Sequence, residues 1–189
     1  MPSTSVSLLE RLQTDPNEES WRRLHDLYAP FIRKWLNDPA LKADQDDMTQ
    51  EVMAILIREL RRFRRKRIGS FRAWLKTITV NVLRQKWRSN RRKKVDSGGP
   101  AILDQLEDPA SELSLRWDHE HNEFIVKGLL EMIRPEFSVL HWKVFGRVAL
   151  GGAAPAKAAK EFEMSVNAVL LVKSRVLKRL REEGRGLID

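Results

Sequence analysis

The chain has 189 residues, of which 42% are hydrophobic, and carries a net charge of +9. That apolar fraction excludes wholesale disorder, and the absence of cysteine excludes disulfides, zinc–thiolate sites and thiol nucleophiles. No apolar run approaches the ~20 residues of a membrane span, and the start MPSTSVSLLERLQ has no signal-peptide profile, so a soluble cytoplasmic protein is expected.

In chain order, Trp21, Leu24, Tyr28, Phe31 and Trp35 recur at three- and four-residue steps. This is the apolar stripe of an amphipathic helix, with Pro30 expected to kink or interrupt it. NDPALKAD then predicts a turn, because a residue before proline is pushed out of the helical region. DQDDMTQEVMAILIRELRRF opens with carboxylates that suit a helix N-terminus, Asp44 and Asp46 among them as capping groups. Its apolar face is Met48, Val52, Ile55, Leu56 and Phe63. Gly69-Ser70 predicts a break, with Ser70 as N-cap of a further helix. That helix turns Phe71, Leu75, Ile78 and Val82 inward and leaves Arg72, Lys76, Thr79 and Arg84 off the apolar face.

After Lys94 the periodicity stops. VDSGGPAILDQLEDPAS reads as a linker, and helical patterning resumes from Glu112 to Met132. Beyond Pro135 the spacing predicts a helix to Leu150, a GGAAP break, a short helix PAKAAKEF, a tight connection at EMS and a long helix from Val166 to about Glu183. No stretch alternates like a strand. The expected fold is all-α: a helical domain over 1–94, a linker over 95–111 and a second, helix-turn-helix domain over 112–189.

Charge is distributed in blocks. Residues 61–94 hold 15 Lys/Arg and no acid, whereas 1–60 carry a net −4, 95–132 a net −7 and 133–189 a net +5. Two separate basic surfaces suggest two contacts with a polyanion. The acidic stretch 95–132 is expected to lie against the first basic segment, a contact that salt should loosen. Within RRFRRKRIGSFRAWLKTITVN, at 61–81, a charged arm with core aromatics, a membrane-surface helix and a single-strand nucleic-acid surface all compete. Phe63, Phe71 and Trp74 fit core positions that anchor two helices. The uncompensated run Arg64–Arg67 asks for an anion nearby.

The C-terminal unit has the plan of a DNA-reading helix-turn-helix. Ala158 and Ala159 are small where two helices must approach, and Phe162, Met164 and Val169 can fill the core between them. Ser165 is a fitting N-cap. Lys173, Arg175, Lys178, Arg179 and Arg181 on the second helix would reach phosphates and base edges. Glu163 stands where such turns often need glycine for a positive φ.

Taken together, LYAPFIRKWL, DDMTQEVMAILIRELRRF and GSFRAWLKTITVNVLRQKWRSNRRK resemble region 2 of bacterial RNA polymerase sigma factors. PAKAAKEFEMSVNAVLLVKSRVLKRLRE resembles their region 4. The likeness covers most of 18–94 and 130–183. The short linker points to the extracytoplasmic-function (ECF) class.

The resemblance implies an alternative sigma factor that binds core RNA polymerase, through its β′ clamp helices and β flap, and promoter DNA. An anti-sigma factor is a further partner that the family often uses. Asp47, Gln50 and Glu51, at i, i+3 and i+4, match the D-x-x-Q-E face that docks on the clamp helices. Arg64, Arg65, Lys66, Arg67, Ser70, Arg72, Lys76, Thr77, Asn81 and Arg84 fall in the segment that holds the minus-10 element, with Lys76, Thr77 and Asn81 at a flipped-base pocket. An asparagine amide can both donate to and accept from a base edge.

Asn167, Lys173, Ser174, Arg175 and Lys178 are the minus-35 candidates. The apolar run Leu170-Leu171-Val172 departs from the family's usual polar start of that helix.

No enzyme, cofactor or metal is expected. The acids Asp44, Asp46, Asp47 and Glu51 have no converging histidine, and His119 and His121 point apart at i, i+2. Two other readings stand beside the sigma one: a stand-alone helix-turn-helix regulator of duplex DNA, and an RNA-binding adaptor.

Overall fold

Nine α-helices succeed one another in the computed structural model, which describes residues 6–36, 44–64, 70–91 and 99–188. They are α1 (Leu8–Thr14), α2 (Glu18–Trp35), α3 (Gln45–Glu59), α4 (Ser70–Arg91), α5 (Gly99–Glu107), α6 (Glu112–Ile133), α7 (Val139–Phe145), α8 (Pro155–Glu161) and α9 (Val166–Glu183). No strand occurs among the described residues, and the fold is all-α. The turn expected at 37–43 and the residues 65–69 and 92–98 lie outside the described residues.

Helices α1 to α4 form the first bundle. Ser7 and Glu10 close a reciprocal capping box at the start of α1, which buries Leu8, Leu9 and Leu12. Helix α2 buries Leu24, Leu27, Tyr28, Phe31 and Ile32, as its stripe requires. It continues through Pro30 rather than breaking there. Pro30 is exposed, and the buried residues on either side hold both halves of the helix to the core. In α3, Met48, Val52 and Leu56 are buried; Asp44 makes no capping hydrogen bond and instead pairs with Lys86 at 2.8 Å.

Helix α4 is enclosed on more sides than its apolar period foretold. Thr79 is buried, donating its hydroxyl to the Leu75 carbonyl at 3.0 Å, because helices pack on two faces of α4. One of them is α5, inside the stretch read as a linker. Its Leu103 and Leu106 are buried against α4. The expected aromatic anchor is present: Phe63 stacks on Trp74 with ring centroids 4.8 Å apart, and Phe71 meets both rings edge-on.

Helix α6 links the first bundle to the C-terminal helices. Its first half lies on α2, where Trp117 and His121 are wholly buried against Phe31, Trp35 and Tyr28. Further along, in its second half, Gly128 lets α6 stay close to α2: a Cβ there would come within 2.4 Å of Leu27 Cδ1. Lys34 and Glu120 pair at 2.8 Å along the same seam, and that bond is the main reason the Glu120 carboxyl is held below its ordinary range. Its last turns bury Leu129, Leu130 and Ile133 beside α9.

Helices α7 to α9 pack beyond it, on one another and on α6. Ala158 and Ala159 are buried, as is Val169, and Ser165 caps α9 by accepting from the Ala168 amide at 3.1 Å. Glu163 adopts φ +53°, the left-handed turn that glycine would favour. Arg179 turns away from the helix's outer face. It pairs with Glu136 and Glu183, while Arg11 of α1 also reaches Glu183.

Candidate nucleic-acid interface

One face of α4 carries most of the first group of candidates. Arg72 and Lys76 stand a turn apart, with side chains only 19% and 12% exposed. What covers them comes from α6. Asp118 Oδ1 lies 3.1 Å from Arg72 Nε and 3.0 Å from Lys76 Nζ. Arg72 also donates to Asn122 Oδ1 at 3.0 Å, and Lys76 to Ser114 Oγ at 2.7 Å. About two turns along, Arg84 donates to Glu107 at the end of α5 and to Asn81 Oδ1.

The helices leave a cleft of about 570 Å³ between α4, α5 and α6, lined by Arg72, Lys76 and Thr77 on one side and by Glu107, Ser114 and Asp118 on the other. Thr77 is exposed, its hydroxyl bonded to the Ala73 carbonyl. Asn81 does not line this cleft. It lies a turn further, exposed, in a shallow depression with Arg84, Gln85 and Arg88. Arg64 is exposed and donates to the carbonyls of Arg61 and Phe63. Ser70 is the first residue of α4 rather than the residue before it. Arg65, Lys66 and Arg67 lie outside the described residues.

Asp47, Gln50 and Glu51 sit together on the exposed face of α3, opposite the buried Met48 and Val52. Neither acid has an ion-pair partner among the described residues. Gln50 also borders a groove with His25, Asp26, Arg33 and Asp46.

In the second unit Asn167, Ser174, Arg175 and Lys178 are exposed along α9, and Lys173 is half-buried. The apolar run divides: Val172 enters the core, while Leu170 and Leu171 remain about half exposed.

The acidic partners Glu107 and Asp118, with Ser114 and Asn122, are not among the site residues picked from the sequence. The signal for them was the block of negative charge following the block of positive charge. It gave the sign of the contact but not the residues.

Residues 21–93 match the family model of Sigma-70 region 2, so the match takes in α2, α3 and α4 together with nearly all of the first basic block. It supports a sigma-70 family factor. The matched span is less than half of the chain, and α5 to α9 lie outside it. No curated protein and no solved structure matches the chain. Among the described residues, no helix is long and apolar enough to cross a membrane.

Proposed function

We propose that the chain is an alternative sigma factor of the ECF class, which directs core RNA polymerase to minus-10 and minus-35 promoter elements and promotes melting. The observation that carries this reading is the coincidence of the Sigma-70 region 2 match with the basic face of α4, where Arg72, Lys76 and Thr77 share one cleft.

In this reading residues 1–94 hold the minus-10 and polymerase-binding functions, 95–111 connect, and 112–189 read the minus-35 duplex. Asp47, Gln50 and Glu51 form a polar face for the β′ clamp helices: three groups on one helix side can pair with a basic partner helix. Arg64 and the basic residues after it follow the phosphates of a single strand, with Arg72, Lys76 and Arg84 along α4. Thr77 and Asn81 read a base edge; the carboxamide offers a donor and an acceptor at once. Melting is then driven by capture, since a pocket that accepts only an unstacked base lowers the cost of opening the duplex. On α9, Asn167, Lys173, Ser174, Arg175 and Lys178 face the major groove, and Leu170 and Leu171 suit contact with thymine methyl groups. The β flap and an anti-sigma protein are the further partners proposed.

The test is run-off transcription with purified core polymerase on a genomic promoter library. Promoter-specific transcripts on addition of the protein are expected. Their absence, with tight binding of the protein alone to palindromic duplex, would instead select the stand-alone regulator.

A further inference from the structure

We infer that the acidic residues of α5 and α6 act as phosphate mimics that hold the α4 face closed in the free protein; this rests on the reading of α4 as a single-strand surface. Three cations of that face, Arg72, Lys76 and Arg84, are each engaged by a carboxylate from outside the first bundle, Asp118 for two and Glu107 for the third. A strand's phosphates would need the same three groups. Binding a strand and keeping these ion pairs are therefore mutually exclusive.

The contact is built to be displaced. Asp118 Oδ1 sits at charge-contact distance from two cations yet has no aligned hydrogen bond. A phosphate, with more acceptor oxygens and freedom to orient, offers better geometry. Behind it, the seam between α2 and α6 buries the indole N–H groups of Trp35 and Trp117 with no acceptor among the described residues, which lowers the cost of parting it. The three ion pairs are partly solvent-exposed, so they hold the face closed by a modest factor rather than sealing it.

The experiment compares four full-length proteins by fluorescence polarisation on a 20-nucleotide single strand of mixed sequence, and then in transcription with core polymerase. They are wild type, Asp118→Asn with Glu107→Gln, a control that removes the same charge from exposed acids of the same helices (Asp104→Asn with Glu123→Gln), and Gly128→Leu. The control accounts for the general rise in polyanion affinity when any acid is neutralised. The Asp118/Glu107 variant should bind about tenfold tighter than that control, because more of the protein is competent to bind. Gly128→Leu, which wedges α6 from α2 at Leu27 without changing charge, should move affinity the same way.

Transcription by the holoenzyme should stay near wild type for all four. Equal affinity of the Asp118/Glu107 variant and its control overturns the inference while leaving the sigma reading intact. Failure of wild type to direct any promoter-specific transcript removes the reading of α4, and this inference with it.

Discussion

Arg11 and Glu183 stand 172 residues apart and meet through both terminal guanidinium nitrogens, one on each carboxylate oxygen. Glu183 is wholly buried and is also engaged by Arg179 at 2.8 Å and Arg23 at 3.8 Å. A lone carboxylate could not stay charged there, so the arginines are what make its burial tolerable. Glu183→Ala should cost about 1–3 kcal/mol, because it takes the shared acceptor from the partly buried Arg11 and Arg179, and thermal unfolding measures it.

The same carboxylate makes stability depend on acid. Burial pushes its pKa up, but hydrogen bonds from Arg11 and Arg179 push it down and prevail, leaving it below the ordinary 4.5. The folded protein therefore holds this proton less readily than the unfolded chain. Its contribution is complete above about pH 4.5 and drains away as pH falls through the folded value. Denaturant midpoints taken from pH 6 down to 3 should fall more steeply for wild type than for Glu183→Gln; parallel curves would refute this account.

Trp117 meets Phe31 edge to face at 5.0 Å and Trp35 at 4.8 Å. Trp117→Ala should cost about 3–5 kcal/mol as a cavity opens between α2 and α6. Trp117→Phe should cost much less, since it keeps the ring contact and deletes a buried N–H that has no acceptor. Urea unfolding of the two variants separates them.

Glu163 holds a left-handed backbone that strains any side chain by about 1–2 kcal/mol. Part of that is recovered in Glu163→Gly, whose unfolded chain is more flexible. A net gain of about 0.5–1 kcal/mol is expected, seen as a rise in melting temperature. A fall would show that the glutamate makes a compensating interaction.

Asn81→Ala should reduce open complexes about 10- to 100-fold, the worth of one good base contact, while closed-complex binding to the duplex stays near wild type. Permanganate footprinting beside a filter-binding assay measures both. Equal loss in the two would remove Asn81 from the base-reading role.

Much of this architecture was legible in the chain. Strong helical periods at Trp21–Trp35, Phe71–Val82 and Val166–Glu183 placed α2, α4 and α9, because one buried stripe dictates each. Helix α5 was not legible: it offers only Leu103 and Leu106 to a core, behind a Gly-Gly-Pro start that looks like a break. Pro30 does not interrupt α2, one of the two outcomes expected of it, as tertiary packing on both sides outweighs one lost backbone hydrogen bond. For the candidate site, residue types and charge blocks pointed to α4, whose Arg72, Lys76 and Thr77 share one cleft. Which carboxylate would meet Arg72 and Lys76 depends on how α6 lies over α4, and local pattern does not carry that information.

The packing of α6 on both α2 and α9 also orders events during synthesis. The first bundle cannot bury Phe31 and Trp35 fully until the ribosome has delivered Trp117 and His121, and α1 gains its arginine–carboxylate tie only once residue 183 is made. The nascent N-terminal half thus spends much of its translation with an aromatic flank uncovered. Ribosome-bound chains stalled near residue 110 should bind chaperones or hydrophobic dyes, and chains stalled well past 133 should not.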